Sequence, residues 1–154
     1  MCLSGPKQNA KSYIQGVNLL SSMRLCSNVP AQSIIQTALG GIQSADELLL
    51  PGGRLFEQRE VIYNELSAID GISVVKPDAA FYIFPKIDTQ KIHINNDEKF
   101  AMDLLKKKYV LISHGTGFNM PEPGYFRIVY LPDKEILHEA CVRLGSFLQT
   151  YSQF

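Results

Sequence analysis

At Asp70-Gly71 the apolar period of this sequence changes from that of a helix to that of a strand, which limits the chain to an architecture mixing both. Before that point three stretches carry hydrophobic residues three and four apart. Pro6 is placed to open the first, with Tyr13, Val17 and Leu20 on one stripe, and Met1 to Ser4 read as the end of a short strand. Asn28 caps the second, which begins near Pro30 and gathers Ala31, Ile34, Ile35, Ala38 and Ile42 on its apolar face. "LLLPGG" breaks the pattern, and a third helix from about Gly53 to Ala68 buries Leu55, Ile62, Leu66 and Ile69. "GGR" at residues 52–54 lacks the preceding strand and the Lys-Ser/Thr of a phosphate loop, so it reads as a hinge between two domains.

Beyond Gly71 the period is two. "ISVVK" (72–76) and "AFYIF" (80–84), joined by Pro77, Asp78 and Ala79, read as neighbouring strands with a tight connection, and core packing is expected for at least one of Tyr82 and Phe84. Asp97 is placed to cap a helix that uses Phe100, Leu104 and Leu105 and ends in Lys106 to Lys108, cations suited to the negative end of its dipole. The strand "VLIS" (110–113), the loop "HGTGFNMPEPG" and the strand "GYFRIVYLP" (124–132) follow. Pro132 and Asp133 start a last helix with Ile136, Ala140, Leu144, Phe147, Leu148 and Tyr151 on its inner side. The fold class is α+β: a β-β-α-β-β-α sheet with helices on one face, after three helices.

Composition narrows the function. The 154 residues are 45% hydrophobic and carry a formal charge of zero, enough for one core and without the electrostatic footprint of a nucleic-acid or anionic-membrane binder. No apolar run approaches the roughly 18 residues that span a bilayer, so the cytoplasm is the expected location. Cys2, Cys26 and Cys141 have neither disulfide nor zinc spacing and are expected as buried free thiols; His93, His114 and His138 are scattered, so no metal site is expected.

Within "GYFRIVYLP", Phe126, Ile128 and Tyr130 share one face, and Arg127 shares the other with Val129 and Leu131. The strand thus reads as buried on both faces with a guanidinium in its middle. An unpaired buried charge costs several kcal/mol or more, so Arg127 requires an anion, either a carboxylate of this chain or one that arrives from outside. The loop "HGTGFN" leaves the preceding strand with Gly115 and Gly117, which allow close backbone approach, and supplies Phe118 as an apolar wall and Asn119 as a donor. If its flanking strands are neighbours, loop and arginine share one sheet edge, where a small carboxylate can meet the fork.

"MRLCSNVPAQSIIQTALGG", "PGGRLFEQR", "KPDAAFYIFPKID", "GTGFN" and "FRIVYLP", in this order and spacing, resemble the C-terminal part of fold type I (class I/II) pyridoxal phosphate dependent aminotransferases of the alanine type. The resemblance covers practically the whole chain. It implies a small C-terminal α+β domain over residues 51–154, preceded over residues 1–50 by helices left from a large cofactor-binding domain. It also implies amino-group transfer between an amino acid and a 2-oxo acid, alanine with 2-oxoglutarate as the pair, in a homodimeric parent. Arg127 then grips the substrate carboxylate, Asn119 touches substrate, and Gly115, Thr116, Gly117 and Phe118 line the pocket. Arg24 is expected to meet a partner subunit or the absent domain.

The same resemblance implies absences. The lysine that holds the cofactor covalently sits in such enzymes in an S-x-S-K-like motif followed by a G-x-R-x-G-W-like segment, and neither occurs here. "MCLSGP" resembles residues just after that segment, so Met1 is expected to be internal to a longer parent, and no cofactor is expected on this chain. Lys7 and Lys11 lack the serine context. The competing expectation is a self-contained module that binds carboxylate metabolites or another protein without catalysis. The two differ in whether the helices of residues 6–45 bury their apolar faces.

Overall fold

The structure, a computed structural model, describes Gly5 and residues 7–153; the expected strand end at Met1 to Ser4, the helix opening at Pro6 and the fate of Cys2 lie outside them. The chain divides into two compact units, Met1–Ser44 and Ala45–Phe154.

In the first unit a 3-10 turn, Lys7–Ala10, leads into helix α1, Lys11–Ser22. Helix α2, Val29–Gly40, is capped as expected, with the Asn28 side chain accepting from the Ala31 amide at 3.3 Å. Ile42, expected on its apolar face, lies past the end of the helix. Neither helix contains a buried residue: Ile34, Ile35 and Leu39 are 60%, 50% and 79% exposed. Cys26 is exposed as well, which corrects the expectation of a buried thiol.

The second unit starts with a short helix α3, Asp46–Leu49, packed on α4, Arg54–Ser67. Gly53 stands between them because an added Cβ would lie 2.3 Å from the Glu47 carbonyl oxygen. The strands β1 (Ile72–Ser73), β2 (Tyr82–Ile83) and β3 (Lys86–Ile87) follow, then the short α5 (Thr89–Ile92), α6 (Asp97–Lys108), β4 (Ser113–His114), β5 (Phe126–Val129) and α7 (Lys134–Leu148). "VLIS" is strand only at its last residue, and the ladder continues to His114 instead.

Strand pairing differs from the expected hairpin of 72–76 with 80–84. β1 pairs with β3, Ile72 opposite Ile87, while β2 pairs with β5, Tyr82 opposite Val129 and Ile83 opposite Ile128. β4 pairs with β5 on its other side, giving the antiparallel order β2-β5-β4. A bridge between Lys86 and Tyr125 keeps the register of β2 on β5. Residues 82–87 thus run along 124–129 as one ladder, interrupted where Pro85 has no N–H to give. Ile87 and Phe126 resume it, donating to Gly124 O at 2.8 Å and Pro85 O at 3.2 Å.

Helices α4, α6 and α7 cover one face, as expected, and the core there includes Ile62, Leu66, Ile83, Phe100, Leu104, Phe126, Tyr130, Leu144 and Phe147. Phe100 sits against Phe126, Phe147 and Tyr151 with ring centroids 6.1, 5.8 and 5.4 Å away. The inner stripe of α7 is Leu137, Cys141, Leu144, Phe147 and Leu148, while Ile136 is 59% exposed, so the expected phase is one residue off at its start. Arg127, Val129 and Leu131 face away from this core, and Val129 and Leu131 are exposed; the strand is buried on one face only.

Burial pushes the Cys141 thiol up to about 12. Since the protonated form is the one the fold favours, this group stabilises below the ordinary thiol range, and its contribution is lost as pH rises from about 9 toward 12. Iodoacetamide at pH 8 is expected to label Cys26 and spare Cys141 until denaturant is added, which mass spectrometry of the digested chain reads directly.

Candidate functional site

The open face of the β2-β5-β4 sheet carries the side chains that alternate with the core: Tyr82 from β2 and Arg127 from β5, with the loop after β4 beside them. Arg127 lies opposite Ser113 across the β4 ladder, so its strand and the one preceding the glycine loop are neighbours, as expected. The arginine itself is on the central strand, not on an edge. Its guanidinium carbon lies 4.5 Å from the Tyr82 ring centroid and 4.2 Å from that of Phe118. The two rings come from opposite neighbours of β5. Phe84 continues the apolar wall, with centroids 6.0 Å from both Phe118 and Tyr125, and Lys86 Nζ stands 5.1 Å from the Tyr125 ring.

No Asp or Glu among the described residues lies within ion-pair distance, 4.0 Å, of Arg127. Its Nε is buried without a hydrogen-bond partner. Contrast Arg143, which has Glu139 at 2.8 Å and borders an apolar groove of about 510 Å³ along α7 and residues 109–112. That groove is well formed, but its arginine is already matched. Among the described residues, then, no carboxylate of this chain answers the charge of Arg127, whose side chain is partly buried.

The loop is built tightly. Gly115 donates to Tyr125 O at 2.8 Å, and a Cβ there would sit 2.6 Å from that of Tyr125. A Cβ on Gly117 would lie 3.1 Å from the His114 ring, whose Nδ1 accepts from the Gly117 amide at the same distance. The two glycines thus permit packing of the loop on its own supports. Thr116 is held by Asp97, whose carboxylate accepts from the Thr116 amide at 2.8 Å and hydroxyl at 2.7 Å. Asn119 follows in left-handed backbone at φ 60, its amide bonded to Thr116 O at 3.0 Å and its side chain exposed.

Of the residues expected at the site, Phe118 and Arg127 are in contact, Gly115 to Gly117 shape the loop, and Asn119 ends it. Tyr82 and Asp97 are given no role at the site by the sequence. Core packing was expected for at least one of Tyr82 and Phe84, but both share strand parity with Arg127's face, Ile83 takes the core position, and neither Tyr82 nor Phe84 is buried. Asp97 is not the cap: Asn96 is, accepting from the Lys99 amide at 2.7 Å, which leaves the 3% exposed Asp97 carboxylate free for the loop. Among the described residues there is no cluster of three His, Cys, Asp or Glu able to hold a metal, and no helix is long and apolar enough to cross a membrane.

Residues 9–144 match the family model described as Aminotransferase class I and II. The chain is 55% identical to the glutamate-pyruvate aminotransferase AlaA of Haemophilus influenzae over 99% of its own length and 38% of that protein's. It is 49% identical to the Mycobacterium tuberculosis alanine aminotransferase over 99% of this chain and 36% of that one. An aminotransferase crystal structure from Escherichia coli superposes with a TM-score of 0.80 at 49% identity, covering 100% of this chain and 38% of that one. The alanine aminotransferase of Pyrococcus furiosus gives 0.68 at 39% identity over 88% and 33%. The chain thus spans little more than a third of the length of these relatives.

Proposed function

The chain belongs to the aminotransferase class I and II family, and on that premise we propose that it is the C-terminal part of a pyridoxal phosphate dependent aminotransferase acting on alanine and 2-oxoglutarate. Arg127 grips the α-carboxylate, Asn119 touches the substrate, and Gly115 to Phe118 line the pocket. The observation that carries this reading is a guanidinium set between two rings with no carboxylate of the described chain to pair it. The names of the relatives, a glutamate-pyruvate and an alanine aminotransferase, support this amino-acid and 2-oxo acid pair.

Residues 1–50 are the helical part of the large cofactor-binding domain and residues 51–154 the small domain of a dimeric, cytoplasmic parent. The apolar residues of α1 and α2, none of them buried, support a role against further protein. The residues present do not fit the cofactor. A lysine that carries it must be desolvated to act as a nucleophile, and no lysine whose side chain is described is buried. Lys11, in particular, is on the exposed side of α1. Covalent and proton-transfer steps are accordingly assigned to the rest of the polypeptide. This chain contributes orientation: fixing the carboxylate limits how the substrate Cα is presented.

The test is an activity assay with L-alanine and 2-oxoglutarate, followed by pyruvate release in the presence of pyridoxal phosphate. The 154-residue chain is expected to be inactive, and a polypeptide extended by the reading frame upstream of Met1 active. Turnover by the chain alone, or an extended protein without amino-group transfer, would refute the proposal.

A further inference from the structure

Which edge of the fork meets the carboxylate is decided by what surrounds it. A carboxylate can approach a guanidinium end-on, across the two Nη atoms, or side-on, across Nε and one Nη. Nε of Arg127 is buried and has no partner, so an approaching oxygen cannot reach it. The Nη atoms are not among the buried unpaired groups, and no guanidinium nitrogen of Arg127 bonds to a described residue. Tyr82 arrives from β2 and Phe118 from the loop after β4, so the planar group is confined from both sides of its strand.

These rings are poor candidates for ordinary core residues. Tyr82 is 39% and Phe118 41% exposed, far more than Phe126 or Tyr130 on the opposite face. The Tyr82 hydroxyl makes no hydrogen bond to a described residue, while its ring centroid lies 4.5 Å from the Arg127 guanidinium carbon. Phe118 is held in turn by the loop that Asp97 fastens through Thr116.

We infer that Tyr82 and Phe118 are positioning residues for Arg127, holding its guanidinium so that a carboxylate is met end-on at the Nη1–Nη2 edge. This rests on the reading of Arg127 as the substrate-carboxylate arginine. The rings also lower the entropy lost on binding, since a long flexible side chain is already set in place. They favour a planar delocalised cation over a point charge.

The experiment follows the side-chain N–H signals of the 154-residue chain by NMR, with Arg127→Lys identifying the Arg127 signals. Pyruvate is the probe and acetamide the uncharged control. Pyruvate is expected to shift the Arg127 Nη signals and leave Nε in place. Tyr82→Leu and Phe118→Leu are each expected to weaken pyruvate binding roughly tenfold with the backbone amide spectrum retained, and Tyr82→Phe to stay within about twofold. If Nε moves with Nη, or both leucine variants bind like the parent chain, the positioning inference falls and the carboxylate reading stands. If no Arg127 signal responds to pyruvate in the unsubstituted chain, the carboxylate reading itself is refuted, and this inference with it.

Discussion

Replacing Arg127 with lysine in the extended polypeptide is expected to weaken amino-acid binding roughly 30-fold, about 2 kcal/mol, with cofactor affinity held within about twofold. An ammonium keeps the charge but offers no planar fork, so it contacts one carboxylate oxygen at a time. It also stacks poorly in a slot whose rings lie 4.5 and 4.2 Å from a guanidinium carbon. Spectrophotometric titration with alanine and with glutamate measures the loss, and pyridoxal phosphate titration measures the control. Unchanged affinity for both amino acids would remove Arg127 from the site.

A second large effect is expected at Asp97. Its carboxylate is buried at the start of α6 and accepts two hydrogen bonds from Thr116, where the helix N-terminus also favours a negative group. Asp97→Ala leaves the Thr116 amide and hydroxyl without their acceptor and is expected to cost about 3 kcal/mol, read as a lower urea midpoint. The loop should loosen before the core does. Faster hydrogen exchange at Thr116, Gly117 and Asn119, with Phe126 and Leu144 protected, would mark that order; an unchanged midpoint would deny Asp97 its role as a fastener.

The helices were legible because their signals are local. Asn28 sits one residue before α2 and accepts from it, and Ile62 and Leu66 fall on one face of α4 by spacing alone. The final helix was found, but its start was misphased: Ile136 and Leu137 are both apolar, and which one turns inward is set by how α7 packs on α4 and α6. Strand pairing was misread for a related reason. Pro77 to Ala79 suggested a tight turn, yet Ile72 finds Ile87, and Tyr82 finds Val129 on a strand far along the chain. Long-range partners leave no mark in a short window.

The same division holds at the site. Arg127 was legible because a charge in an apolar strand demands an explanation, and its neighbour Phe118 followed from the loop. Tyr82 was not, because an aromatic residue in a strand is ordinarily core, and its facing depends on which side Ile83 takes. Asp97 was hidden by a plausible competing role one position from the true cap, Asn96. Its carboxylate could be connected to Thr116 only once α6 and the loop after β4 were seen side by side.

The unbroken register of residues 82–87 on 124–129 makes the site sensitive to chain length in a way that side-chain chemistry does not reveal. Delete one residue next to Pro85 and every position upstream of the cut changes sides. Ile83 would then face solvent, and the Tyr82 ring would be driven among Phe100, Leu104 and Leu144. An indel of a single codon would thus injure the core and uncover the arginine at once, whereas removal of two neighbouring codons would preserve the alternation.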